Sequence, residues 1–181
     1  MSLPQERTYT IEDIYNLPEG TRAELIDGQI YYMVPPGRTH QRISGEIFTD
    51  IKNYIRSSNG KCEAYAAPFA VFLDKDETNY FEPDISVICD PDKLNSKGCY
   101  GAPDWIIEIV SPSNASHDYI TKLYRYKVAG VREYWIVNPA NQTITVYFFE
   151  GNTFAQHYTF DNAIKVNIYD DLEIDFSALI L

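Results

Sequence analysis

Two carboxylates and a lysine have the types and spacing to do chemistry. Glu108 lies in PDWIIEIVS, residues 103–111, a stretch of strand length that is apolar nearly throughout. Side chains alternate along a strand, so Trp105, Ile107 and Ile109 share one face while Asp104, Ile106, Glu108 and Val110 share the other. A carboxylate in mid-strand loses hydration worth several kcal/mol unless a cation or strong donors replace it. A buried Arg or Lys would answer that need, and so would a metal ion or a catalytic proton. Asp84 follows Pro83 and opens the run DISVICD. If the strands holding Asp84 and Glu108 are neighbours, the two carboxylates converge. Two hard oxygen ligands are what Mg²⁺ requires, with Mn²⁺ as a substitute and with water and a substrate phosphate completing the octahedron. Lys122 lies at the border of a helix face carrying Tyr119, Leu123 and Tyr126, placed to reach over the sheet. An ammonium there can polarise water and stabilise charge developing on a phosphate. The bland alternative pairs Lys122 with Asp118 at i,i+4 on the surface, worth only about 0.3–0.5 kcal/mol.

Positioning these groups falls to a series of alternating elements without linkers or repeats. Thr10 and Asp13 form a capping-box variant opening a short helix that Pro18 and Gly20 close. Residues 22–34 read as two strands turning at Asp27-Gly28. From Thr39 to Ser57, Ile43, Ile47, Phe48, Ile51 and Ile55 fall on one arc of a helix, with Arg42, Lys52 and Arg56 as a basic edge. Strands are expected at 62–73, 84–89 and 103–111, with a polar loop over 90–101. A second helix is expected from Ala115 to Ala129, ended by Gly130. REYWIVN and strands at 142–149 and 153–160 follow. This order implies an α/β layered fold with a mixed sheet.

Composition narrows the function classes. A chain of 181 residues with 45% hydrophobic content suits one folded domain. No run of 18 apolar residues exists, and the start lacks a basic-then-apolar leader, so the expected compartment is the cytoplasm. Cys62, Cys89 and Cys99 are an odd, widely spaced set and read as free thiols. The net charge of −11, with no Lys/Arg run, argues against nonspecific coating of nucleic acid. It suits divalent cations instead.

Taken together, PD at 83–84, PDWIIEIVSPS at 103–113, Lys122, Tyr126 and GVREYWIVNP at 130–139 resemble the Uma two family of restriction-endonuclease-like proteins, within the PD-(D/E)XK nuclease superfamily. The resemblance runs from AELIDG at 23–28 and HQRI at 40–43 to the late hairpins. It implies a restriction-endonuclease-like mixed β-sheet flanked by helices, with additional β-hairpins, in one domain over 1–181. The implied activity is Mg²⁺-dependent hydrolysis of DNA phosphodiesters by a homodimer. Asp84 and Glu108 would bind the metal with the Ile109 carbonyl, and Glu24 would be an auxiliary acid. The superfamily's lysine position, two after Glu108, is Val110 here, so the resemblance assigns that role to Lys122. The rival class is a nuclease-fold protein serving as a dimeric binding or regulatory module. His40 and Gln41 match the family's HQ pair and read as a cap or packing contact. His117 and His157 lack partner spacing. Ser111 and Ser113 lack a nucleophile's GxSxG setting and read as helix caps.

Overall fold

Asp27 and Gly28 adopt φ of 54° and 74°, the left-handed pair that a two-residue hairpin turn demands. The computed structural model describes residues 7–73, 77–111, 117–151 and 154–179. A short helix, α1 (Ile11–Tyr15), opens with the Thr10 N–H donating to the Asp13 carboxylate at 2.9 Å. Next come strands β1 (Ala23–Ile26) and β2 (Gln29–Tyr32) and the long helix α2 (Arg38–Ser57). On α2 every fourth residue from Ile43 to Ile55 is buried, each contributing about 1.5–3 kcal/mol.

The single strand expected over 62–73 is two, β3 (Glu63–Ala66) and β4 (Val71–Phe72). Pro68 lies between them and has no N–H to give a ladder. β5 (Ile85–Ile88) follows. The expected polar loop at 90–101 contains a 3₁₀ turn (Pro91–Lys93), β6 (Leu94–Asn95) and β7 (Gly98–Tyr100). β4 leaves the main sheet to pair parallel with β7. After β8 (Trp105–Ile109), a π-helical turn (His117–Lys122) leads into α3 (Leu123–Ala129), and Gly130 at φ 95° caps it. The expected first two residues of this helix, with Ser113, lie outside the described residues. β9 (Glu133–Asn138), β10 (Thr143–Phe148) and β11 (Gln156–Thr159) form a meander. A further hairpin, β12 (Ala163–Lys165) with β13 (Glu173–Asp175), agrees with the additional β-hairpins that the resemblance implies, although the residue pattern pointed to no strand there.

The main sheet has the order β11–β10–β9–β8–β5–β3 and is mixed, since only β8 and β9 run parallel. Its two faces carry separate cores. The α2 isoleucines pack with Trp105, Ile107, Ile109, Trp135 and Val137 on one side. Ile106, Val110, Tyr126, Tyr134 and Ile136 fill the other. Glu108 therefore belongs, by alternation, to the face covered by α3.

The cysteine expectation is corrected. Cys62 and Cys89, 27 residues apart, form a disulfide, because the pairing of Glu63 with Ile88 brings the next residue of each strand together. Cys99 alone is free, and it is buried. Among the described residues no helix is long and apolar enough to cross a membrane.

Candidate active site

In the antiparallel pairing of β5 with β8, Ile85 stands opposite Ile107, so the register carries Asp84 to the position beside Glu108. Asp84 Oδ2 accepts the Ile109 N–H at 2.7 Å and lies 3.1 Å from His40 Nε2. The condition that the two strands be neighbours is thus met. Both carboxylates, with Ile109, His40, Asp118 and Lys122, line one cavity of ≈330 Å³. Its walls come from the start of β5, the end of β8, the start of α2, the segment after β2 and the π-helical turn.

Lys122 is not the surface partner that its spacing also allowed. Its side chain is 6% exposed, and Nζ lies 2.9 Å from Glu108 Oε1, 2.9 Å from Glu24 Oε2 and 3.5 Å from Asp118 Oδ1. The i,i+4 pair with Asp118 exists, but in the interior. The π-helical turn is the local device that carries Asp118 and Lys122 inward together. The Tyr126 hydroxyl donates to the same Glu108 oxygen at 2.8 Å. Glu24 on β1 is buried and does not line the cavity. It stands behind the ammonium, its other oxygen accepting the Glu82 N–H at 3.1 Å. The two answers to the charge on Glu108, a basic partner or a chemical role, therefore meet in one side chain.

Three carboxylates around one ammonium leave excess negative charge in a dry place. Burial lifts the Glu108 carboxyl well above its ordinary range, and Lys122 offsets this only in part against Asp118, Asp84 and Glu24. Burial likewise pushes Asp118 up to about 6 against the pull of Lys122. Burial disfavours the Lys122 ammonium, but Glu108, Glu24 and Asp118 outweigh it and keep the group charged. Burial also works against a cationic His40, and Asp84 overcomes it, raising the imidazole above its usual value.

Among the described residues no set of three His, Cys, Asp or Glu side chains is arranged to grip a metal. Asp84 and Glu108, two of the three carboxylates lining the cavity, still suit Mg²⁺, which keeps several waters and takes one or two carboxylates plus substrate oxygens. A closed four-ligand site for zinc does not fit them. His40 and Asp118 complete the site beyond the residues singled out from sequence. For Asp118 the i,i+4 spacing was visible but its burial was not. For His40 the helix start and the HQ match were visible, but the Asp84 carboxylate it faces lies 44 residues away.

A mixed sheet flanked by helices, with carboxylates gathered at its strand ends, is the architecture expected of restriction-endonuclease-like proteins; in this chain the lysine comes from the π-helical turn that follows β8. The chain belongs to the Uma2 family, described as "Putative restriction endonuclease", whose model matches residues 11–179. It is 30% identical over 126 residues to an uncharacterised protein of Synechocystis sp., a match covering 68% of this chain and 64% of that relative. The match thus spans a little under two thirds of the relative's length. A crystal structure titled as that of "a putative nuclease belonging to DUF820" from Anabaena variabilis shares the fold, with a TM-score of 0.76 and 22% identity over 94% of this chain and 96% of that one.

Proposed function

We propose that the protein is a metal-dependent endonuclease that hydrolyses DNA phosphodiester bonds, with Mg²⁺ as its ion and Mn²⁺ as a substitute. One observation carries this reading: Asp84 and Glu108 open onto a single cavity in which a buried ammonium sits 2.9 Å from Glu108. Asp84 and Glu108, with the Ile109 carbonyl, would hold the ion. When bound, it supplies a polarised water and a Lewis acid for the phosphoryl oxygen. Lys122 stabilises the attacking hydroxide and the charge developing on the phosphate. Glu24 and Asp118 hold that ammonium in place and keep it protonated. Pairing of two copies in a homodimer would present one site to each strand of a duplex.

A second reading has its own support. Lys122 already pairs with Glu108, as in a structural ion pair, and this favours a nuclease-fold protein acting as a dimeric binding or regulatory module. Calorimetric titration with Mg²⁺ and Mn²⁺, beside cleavage of plasmid, linear duplex and single-stranded DNA, separates the two. The nuclease reading expects cleavage that a chelator stops. It also expects Asp84→Asn and Glu108→Gln to remain folded and lose both metal binding and cleavage. Metal affinity retained in both variants sinks the assignment of the site. Wild-type protein that cuts none of the substrates moves the choice to the binding module.

A further inference from the structure

Arg22 is a cation of the cavity wall that the catalytic scheme does not use. It precedes β1, and its carbonyl accepts the Met33 N–H at 2.9 Å, so Arg22 and Met33 face each other at the open end of the hairpin. One edge of the guanidinium is anchored: Nε and Nη2 donate to Glu82 Oε2 at 2.8 and 2.6 Å. The Tyr80 hydroxyl holds the other Glu82 oxygen at 2.7 Å. Nη1 has no partner among the described residues, and the side chain is 35% exposed. An arginine fixed along one edge loses less freedom when its other edge meets an anion.

Arg22 also stands where two cavities meet. A second cavity, of ≈200 Å³, shares Arg22 and Met33–Pro36 with the larger one and adds Gly20. Its wall is apolar apart from the guanidinium, and Val34 is 64% exposed. Within the larger cavity Lys122 is engaged on three sides by carboxylates, so of the two lining Lys and Arg side chains Arg22 is the one with a donor to spare among the described residues. A polyanion entering the site meets Asp84, Glu108 and Asp118 first and needs a second positive contact beside them.

We infer that Arg22 and the Met33–Pro36 wall form a subsite for the nucleotide adjoining the one whose phosphodiester is attacked. The neighbouring phosphate lies on the free edge of the guanidinium, and its sugar or base packs against Val34 and Pro35. This rests on the nuclease reading above and adds a positioning residue to it. The smaller cavity takes a single ring rather than a drug-sized ligand.

The test measures binding of a short DNA duplex, and of its single strand, by fluorescence anisotropy with Ca²⁺ in place of Mg²⁺ and a range of NaCl concentrations. Arg22→Gln alone leaves Glu82 buried without its cation, so the informative variant is Arg22→Gln with Glu82→Gln. That variant should melt near the wild type and bind roughly tenfold more weakly at low salt. Its slope of log affinity against log salt should fall by about 0.7–0.9, the value of one phosphate contact. Arg22→Lys, which keeps a charge beside Glu82, should restore the slope. One neutral methylphosphonate linkage, walked along the strand, should erase the difference between wild type and variant at a single position. An unchanged slope, or a difference that survives at every linkage, overturns the subsite while wild-type binding and cleavage leave the nuclease reading standing. Wild-type protein that binds no DNA with a divalent cation overturns both.

Discussion

Two glutamates on adjacent, parallel strands are both buried, and they have opposite characters. Glu133 on β9 is 0% exposed and faces the α2 side of the sheet. Its Oε1 accepts from Trp135 Nε1 at 2.7 Å and Asn167 Nδ2 at 2.9 Å, and its Oε2 from the Ile168 N–H at 3.0 Å. No cation is among these partners. Burial raises its pKa, and these three donors oppose the rise. Glu108 on β8 faces the other side, at the opposite end of the paired strands. Its Oε1 meets Lys122 and Tyr126, and the residue lines a cavity. Burial of a carboxylate therefore does not define a site. What separates the two is access: Glu133 has both oxygens closed off by neutral donors, whereas Glu108 keeps a route to the cavity and a charged neighbour.

The largest effect should come from breaking the charged side of this comparison. Lys122→Met leaves Glu24, Glu108 and Asp118 buried without their cation and should cost about 3–5 kcal/mol in chelator. Chemical denaturation gives the value. The deficit should shrink as pH falls, because the raised carboxyls of Glu108 and Asp118 take up protons, and on adding Mg²⁺. A loss below about 0.5 kcal/mol would return Lys122 to the role of a surface pair.

The second prediction sets the two glutamates directly against each other. Glu133→Gln replaces one acceptor oxygen with an amide that must face an N–H donor. It should cost about 2–3 kcal/mol and leave metal binding untouched. Glu108→Gln keeps an oxygen for Lys122 and Tyr126 and removes one of three crowded charges. It should leave stability in chelator unchanged or raised, and it should abolish metal binding. Melting temperatures of the two variants with and without Mn²⁺ decide this. A larger loss for Glu108→Gln would reverse the comparison.

The smallest effect is a pH slope. Because Asp118 is held near 6, well above the usual carboxylate value, the folded protein binds its proton more tightly than the unfolded chain does. Its contribution to stability is fully present below about pH 4 and is lost as pH rises through about 6. In chelator, Asp118→Asn should flatten the decline of melting temperature across that window. Parallel curves for variant and wild type would show that Asp118 does not carry it.

Much of the framework was legible from local residues. The Asp27-Gly28 turn, the isoleucine row of α2, the alternation along β8 and the glycine cap after α3 each depend on a few neighbouring residues. The steric and hydrophobic rules behind them act over one or two turns of chain. The same rules failed where a short strand changes sheet, as at Pro68, and where weak pairings such as β12 with β13 are made by packing. Glu108 could be singled out because a charge inside an apolar run is costly anywhere, Asp84 because it opens the neighbouring run, and Lys122 because it borders an apolar helix face and takes the role that the resemblance assigns.

The sequence by itself thus determined which groups needed compensation, and tertiary structure alone decided what compensates them. The disulfide between Cys62 and Cys89 exists because a strand register brings together residues 27 apart. The ion cluster joins Glu24, Glu108, Asp118 and Lys122 from a hairpin, a central strand and a π-helical turn. Spacing distinguishes neither a surface lysine from a buried one nor Glu133 from Glu108. Solvation and Coulomb energies depend on everything within several ångströms in space, and chain order specifies that surrounding only after the elements have packed.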